Sequence, residues 1–449
     1  MRIWQFLFLA SLAALPVQLG KYFFIKGSYV LGLPIDYLAI TLYLSDLVIV
    51  ATIGTYLWSH KKSWKKVFAQ HRLYIVTAAI FNLYLFALTL LASPISLTAL
   101  NFSIRIAVLF AYSLVAAEFF SLPNLLSRAK KVINFSLVWV TVLIMLEFAL
   151  QRSLNLWFIG ERSFDTSTAG IAHFNLFGLQ LLRSYATFPH PNVAGAFFVI
   201  YLILNFSLHR HPERPVRQSF SVGGSEESTH LSSPRRRGSR NRQGTGFPSK
   251  LASLRGRSGS GMTIGVLALV ALFLTFSKAA IFALILYFLL TSTSRRIRLA
   301  IVSILAVAAL FLIGAQQLLP IDSIAERLSL SQAALDISLK NPLFGIGPTN
   351  FIPQLATLNL YSISQTRLLQ PVHNVFLIFL TETGIVGFLL FTIVLLAVAG
   401  RAHSKAKQAL LVVLLCFASI DHFLITIHQG QLLLWLALGY ILSKGKARN

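Results

Sequence analysis

Along most of the chain the apolar positions come in unbroken runs, not in an alternating or one-faced pattern. A bilayer core about 30 Å thick needs about 20 apolar residues per helix, and runs of that order recur throughout the sequence. They cover residues 4–20, 38–58, 73–92, 100–120, 132–150, 193–208, 263–276, 279–293, 299–317, 374–399, 409–427 and 431–443. The seventh, eighth and twelfth are short. The seventh and eighth also read as one long helix, which would invert everything after it. The first has the length of a signal peptide, but Pro16-Val-Gln-Leu-Gly20 is not a small-residue cleavage site, so it reads as an anchor. The pattern predicts an all-α polytopic integral membrane protein of about twelve transmembrane helices.

Three polar stretches interrupt the runs. Residues 209–262 are rich in Ser, Gly, Pro and Arg, with Pro234-Arg-Arg-Arg-Gly-Ser-Arg240 among them, and lack the apolar residues to build a core. They read as a disordered basic cytoplasmic insertion. Residues 318–373 form the longest outer loop, between spans nine and ten. Within it Ile324, Leu328, Ala334 and Ile337 recur at near-helical spacing over 323–339, as in a helix lying on the membrane surface. Asn341-Pro342 stops that helix and Gly345-Ile-Gly347 turns the chain. Residues 151–192 form another sizeable outer loop. The chain thus divides into 1–208 with spans one to six, the insertion 209–262, 263–317 with spans seven to nine, the loop 318–373, and 374–449 with the last three spans and a tail.

Charge sets the orientation. Against 14 Asp+Glu the chain carries 39 Lys+Arg, a net charge of +25, although charged residues make up only 12%. Soluble domains carry about 25%, so a soluble globule is excluded. With the N-terminus in the cytoplasm, Lys61, Lys62, Lys65, Lys66, Arg128, Lys130, Lys131 and the basic insertion all fall inside, as the positive-inside rule requires. Arg295, Arg296 and Arg298 join them only if spans seven and eight are separate, which favours a break at Ser277-Lys278. Both termini are then cytoplasmic. The basic insertion admits a nucleic-acid reading, but attraction to anionic lipid accounts for it, and no nucleic-acid partner is expected. Cys416 is the single cysteine, so neither a disulfide framework nor a Cys-based zinc site is available.

Candidate chemistry gathers at the outer face. Arg183 opens Arg183-Ser-Tyr-Ala-Thr-Phe-Pro-His-Pro-Asn192, Lys278 sits at the tip between spans seven and eight, and Arg367 precedes His373-Asn374 at the tenth span. Cations suit a diphosphate, which they bind by charge-assisted hydrogen bonds. A histidine near neutral pKa suits general-base work on a hydroxyl. No Asp-x-Asp or His-Glu-x-x-His motif appears, so no metal or other cofactor is expected. Each residue also has a plain reading. An arginine at a span end snorkels to the headgroups, Arg105 more so than Arg183. Lys278 is a turn residue, His373 merely starts a helix, and Asn374 caps it. Asp421 and His422 satisfy each other or pair with a cation from another span. Asp46, Glu118 and Glu147 read as structural, and His190, between two prolines, as loop geometry.

Four motifs in order carry a resemblance: Arg183 with Phe188-Pro-His-Pro-Asn192, Thr275-Phe-Ser-Lys-Ala279, Asn341-Pro-Leu-Phe-Gly-Ile-Gly347-Pro-Thr-Asn-Phe351, and His373-Asn-Val-Phe-Leu-Ile-Phe-Leu-Thr-Glu-Thr-Gly384-Ile-Val-Gly387. The chain resembles the O-antigen ligase and polymerase superfamily of polytopic bacterial membrane glycosyltransferases. The resemblance covers about 183–387 by motif and the whole chain by topology. It implies a cytoplasmic-membrane enzyme whose active site faces outward. The reaction it implies is metal-independent, inverting transfer of a glycan from undecaprenyl diphosphate to an acceptor hydroxyl on a lipid or glycan. Carried over by position, Arg183 would contact the donor diphosphate, and His373 would be the general base or would orient the acceptor. Lys278 and Arg367 join the diphosphate-binding candidates by their charge, with Asn192, Asn374 and Asp421 in support. Lys278 stands where the family shows arginine, which keeps the charge and loses the bidentate fork. The insertion 209–262 is not part of the family pattern. Ligation, polymerisation of repeat units and protein O-glycosylation all remain open. A transporter or flippase of the lipid-linked glycan is the rival from another class, although the cations cluster at one face and no matching halves are visible.

Overall fold

The computed structural model describes residues 1–176, 178–209, 259–296, 298–299, 321–358 and 369–444. Helices occupy every predicted span that these residues cover. They are α1 (Ile3–Ala14), α2 (Leu44–His60), α3 (Trp64–Leu91), α4 (Ser96–Phe120), α5 (Pro123–Leu150), α6 (Pro191–His209), α7 (Gly259–Leu274) and α8 (Lys278–Thr291). Then follow α9 (Ile321–Lys340), α10 (Phe351–Thr357), α11 (Val375–Ala399), α12 (Lys405–Ile420), α13 (Phe423–Thr426) and α14 (His428–Leu442). The insertion, apart from its first and last residues, and most of the ninth span lie outside the described residues. Among the described residues, five helices are long and apolar enough to cross a bilayer: Trp64–Leu91, Leu97–Phe120, Pro123–Leu150, Pro191–Leu208 and Val375–Ala399. The chain is a multi-pass membrane protein.

The bundle is built around α6 and α14. Both are apolar on all sides, and almost every residue of each is buried, as expected of helices enclosed by other helices. The last helix lies along α4, and a Cβ at Gly439 would come within 2.6 Å of the Ser113 carbonyl oxygen, so the absence of a side chain there permits the close crossing. Several polar atoms trapped between helices are paired there, which removes the cost of burying them alone. The Tyr201 hydroxyl donates to Leu12 O at 2.7 Å, and those of Tyr74 and Ser113 pair at 2.6 Å.

Among the described residues, three antiparallel strand pairs depart from the all-helical expectation: β1 (Gly20–Phe23) pairs with β4 (Ile40–Tyr43), β2 (Tyr29–Val30) with β3 (Leu33–Pro34), and β5 (His173–Leu176) with β6 (Leu179–Leu182). Residues 38–43, expected to begin the second span, instead form a short 3-10 turn and strand β4. An apolar run does not by itself separate strand from helix. The β-branched pair Ile40-Thr41 and the partner strand at Gly20–Phe23 decide for the strand here.

A second, smaller core caps the bundle at this loop end. Leu330, Ala333, Ala334 and Ile337 of α9 pack there with Phe351, Leu355 and Val372, and with Val30, Ile35 and Leu38 of the hairpins. The helix predicted over 323–339 is therefore present, with its faces shared out differently. Ala334 and Ile337 are buried, whereas Ile324 and Leu328 are exposed together with Leu335 and Leu339.

Two of the sequence motifs meet in one device. Within α11 the helix breaks at Gly384, with φ 63° and ψ −174°, a backbone region that is essentially glycine-only. The freed backbone groups bond to the 341–347 segment. Ile346 N donates to Thr381 O and Gly347 N to Glu382 O, while Ile385 N donates to Pro342 O. The Glu382 carboxylate in turn accepts from Thr349 N at 2.9 Å and Phe351 N at 3.2 Å, fixing the start of α10. A Cβ at Gly384 would stand 2.2 Å from Leu343 O, whereas one at Gly54 would meet nothing within 4 Å. Gly384→Ala is therefore expected to cost about 3 kcal/mol or more, seen as lost monodisperse yield and a lower thermal midpoint in detergent. Gly54→Ala should leave both unchanged.

Candidate active site

The segment from Arg183 to Asn192 is pinned from below. Glu147, deep in α5, accepts from Tyr185 N and Ala186 N at 2.8 Å each, and Ser184 Oγ donates to Ile144 O. This gives Glu147 its structural role: it bends the chain so that Arg183 and Asn192 approach each other. Arg183 Nε donates to Thr275 O at 3.0 Å and its Nη2 to Asn192 Oδ1 at 2.9 Å. Ser277 Oγ donates to the same Asn192 oxygen at 3.2 Å. The chain breaks between Leu274 and Lys278, with Phe276 at φ 47°, so the Thr275-Phe-Ser277 motif presents its carbonyl and hydroxyl to Arg183 and Asn192.

Asn192 passes the connection on. Its Nδ2 donates to Asp421 Oδ2 at 2.9 Å. Asp421 lies between α12 and α13, where its Oδ1 also accepts from His422 N at 2.7 Å. The ring of His422 stands 5.0 Å from that of His373, tilted by 63°, and its Nδ1 is 2.6 Å from Thr426 Oγ1. His373 Nδ1 is buried and has no hydrogen-bond partner among the described residues. A hydrogen-bonded line thus runs from Arg183 through Asn192 to Asp421, beside an imidazole with an uncommitted ring nitrogen.

These groups border a cavity of about 600 Å³ at the loop end of the bundle. Of the residues singled out in the sequence, His373, Asn192 and Asp421 line it. Arg183 and Lys278 do not; they lie behind Asn192, near enough to each other for their charges to repel. Lys278 is exposed at the start of α8. Asn374 is also set apart. Its Oδ1 caps α11 by accepting from Leu377 N, and its Nδ2 donates to Ser419 O. Arg367 falls outside the described residues.

The cavity also recruits residues that had been read as bland. His190, taken as loop geometry, lines it, as do His422, Arg162 and Arg327. Arg105, taken as a snorkelling side chain, turns inward and lines the cavity too. Its Nη2 bonds Asp46 Oδ2 at 3.0 Å and Thr41 O at 2.8 Å, while Nη1 lies 2.6 Å from His428 Nδ1. Tyr43 lies flat on the His428 ring at 4.0 Å. No local signal marked this network, because its members come from distant parts of the chain. The side chains of Arg105 and Asp46 are only 13% and 21% exposed, so truncating one strands the other. Arg105→Ala should lower stability by about 3 kcal/mol, measured as a fall in thermal midpoint. An unchanged midpoint would return Arg105 to the snorkelling role.

Burial governs the protonation states. It pushes His373 down to about 3, aided by repulsion from His422 and Arg327 and opposed by Asp421. His190 is held at about 4 by burial, against the pull of Asp421. The near-neutral imidazole expected at position 373 is thus replaced by one that stays unprotonated far into the acid range. Burial also lowers Arg183 to about 10, which leaves it charged at neutral pH. Ligand atoms of His373, Asp421 and His422 lie within 4.8 Å of one another, close enough to share a cation. Both Asp421 oxygens and His422 Nδ1 are, however, already engaged in hydrogen bonds, which fits a hydrogen-bonded cluster better than a metal centre.

Residues 263–392 match the family model described as O-antigen ligase. The matched stretch takes in the Ser277–Lys278 break, α9, the 341–351 segment docked on Gly384, and His373, and it supports the resemblance that the motifs carry. No curated protein matches the chain.

Proposed function

Taking residues 263–392 as an O-antigen ligase domain, we propose that the protein transfers a glycan from an undecaprenyl-diphosphate carrier to an acceptor hydroxyl at the outer face of the bacterial cytoplasmic membrane, with both termini inside. The observation that carries this reading is the line Arg183–Asn192–Asp421 ending beside His373 at a closed-in cavity. The donor diphosphate rests against Arg183 and Lys278 at the membrane boundary, with its prenyl tail in the lipid. Arg367 is assigned to the same clamp by its place in the sequence alone. The acceptor enters the cavity and brings its hydroxyl to His373.

In the transfer step the acceptor oxygen bonds to the anomeric carbon from the face opposite the diphosphate. The bond from that carbon to the diphosphate oxygen breaks, and the configuration inverts. His373 takes the hydroxyl proton, and Asp421 stabilises the resulting imidazolium, which then releases the proton to solvent. The leaving diphosphate carries its new charge next to fixed cations that need no reorganisation, which is where electrostatic stabilisation is most effective. The imidazole is neutral and so able to accept the proton; burial weakens it as a base, and it serves because the acceptor needs only partial deprotonation in the transition state.

Deleting the gene and analysing the envelope glycans tests the assignment. A ligase is expected to leave full-length glycan on its lipid carrier and an unmodified acceptor. Single repeat units on the final acceptor would assign a polymerase instead, and glycan trapped on the cytoplasmic side would assign a flippase.

A further inference from the structure

One wall of the cavity comes from a stretch that none of the family motifs touches. Between β1 and β4 the chain is anchored by Val30, Ile35 and Leu38 in the smaller core. Ser28 Oγ donates to Leu38 O at 2.9 Å and Ile35 N to Ser28 O at 2.8 Å, which fixes the turn. Held between these anchors, Asp36 and Tyr37 line the cavity and stay exposed. The Tyr37 ring meets His422 edge-on, 5.5 Å between centroids, one ring away from His373. Tyr22 and Phe24, stacked on each other at 6.3 Å, line the same cavity.

Aromatic rings this close to a buried polar cluster are normally covered. Here Tyr22, Phe24 and Tyr37 are 36%, 39% and 37% exposed. The side chains of Asp36 and Tyr37 have no hydrogen-bond partner among the described residues. Arg162, also on the cavity, stands over the Tyr185 ring at 5.6 Å and spends one Nη2 donor on Pro189 O at 2.8 Å; no carboxylate among the described residues forms an ion pair with it, so most of its five donors remain open to a ligand. Partly exposed rings beside a carboxylate without a hydrogen-bond partner and an arginine with donors to spare match the two sides of a pyranose. Its C–H face lies on a ring, and its neighbouring hydroxyls donate to a carboxylate or accept from an arginine fork.

We infer that the 20–43 hairpins form the acceptor subsite, with Tyr37 stacking on the acceptor sugar between Asp36 and Arg162, so that the acceptor is a saccharide and not a side-chain hydroxyl of a polypeptide. This rests on the transfer reaction proposed above. The donor diphosphate rests at Arg183 and Lys278 behind Asn192 and brings its first sugar to the His373 end of the cavity, which leaves the wall built by the 20–43 hairpins for the acceptor. A volume of about 600 Å³ is in the usual range of small-ligand sites.

The test uses the full-length protein in lipid nanodiscs. The lipid-linked glycan fraction of host membranes is the donor, and the envelope fraction of a deletion strain is titrated as acceptor. Tyr37→Ala should raise the half-saturating acceptor concentration about tenfold while changing the saturating rate and the donor dependence by less than about twofold, the pattern of lost ground-state binding. Tyr37→Phe should keep the wild-type value, because the ring remains. Asp36→Asn should show a smaller rise of about threefold to fivefold in the acceptor term alone, and it serves if Tyr37→Ala does not fold. Trp157→Ala, an exposed ring away from the cavity, should change nothing. Unaltered acceptor saturation in Tyr37→Ala and Asp36→Asn, or labelled glycan recovered on protein, would overturn the subsite while leaving the transferase reading in place. No transfer by wild-type protein with any acceptor fraction would overturn both.

Discussion

Replacing His373 by alanine is expected to lower the transfer rate by about 10²–10⁴, the usual size of a general-base contribution, while donor binding persists through the cations behind Asn192. The pH profile makes the prediction specific. On the proposed mechanism His373 is the base, and only its neutral form can take a proton. Burial holds its conjugate acid at about 3, so the neutral form prevails at every pH above that value. The wild-type rate should therefore stay flat from about pH 8 to about pH 5 and turn down only as the pH nears the depressed value. An unperturbed imidazole would instead give a fall through about 6.5. Steady-state rates at saturating donor across this range decide between the two. His422→Ala is not a neutral control for this experiment, because His422 packs against His373 and lines the same cavity.

Arg183→Ala is expected to cost about 10²–10³ in transfer, the size of losing one preorganised group that stabilises transition-state charge. Two effects combine. The guanidinium no longer faces the departing diphosphate, and Asn192 loses the partner that holds its Oδ1 while its Nδ2 holds Asp421. Asn192→Ala should reproduce the second effect alone and so cost less than Arg183→Ala. Lys278→Arg should be tolerated, since it keeps a cation at the start of α8. Comparable small losses in Arg183→Ala and Lys278→Arg would show that these cations serve the headgroups and not the donor. Rates at saturating donor and acceptor are the readout.

The helical bundle was legible because hydrophobic runs of spanning length leave a chain few other folds. The charge alternation separated spans seven and eight, and the chain does break between Leu274 and Lys278. Other features were not legible, for physical reasons. Residues 38–43 have the same composition in a strand as in a helix, and only pairing with Gly20–Phe23 decides between them. The break at Gly384 is invisible locally, because its hydrogen bonds are completed by residues some forty positions earlier. Of the site, the motifs pointed to His373 and Asn192, the intramembrane charge pointed to Asp421, and the cavity brings these together. His190 stood inside a motif but read as loop geometry, and nothing pointed to Arg105 or Tyr37. An intramembrane arginine and a snorkelling one look alike in sequence. A tyrosine in a short loop carries no mark of the cavity it faces.

The central claim is that His373 activates an acceptor hydroxyl against a donor whose diphosphate is held by Arg183 and Lys278. The most direct measurement preloads purified protein in nanodiscs with isotopically labelled undecaprenyl-diphosphate glycan, adds acceptor, and follows a single turnover. Wild-type protein should release one undecaprenyl diphosphate per glycan transferred, and only after acceptor is added. His373→Ala loaded to the same occupancy should release almost none on that timescale. Wild-type rates of release and transfer from His373→Ala would contradict the account.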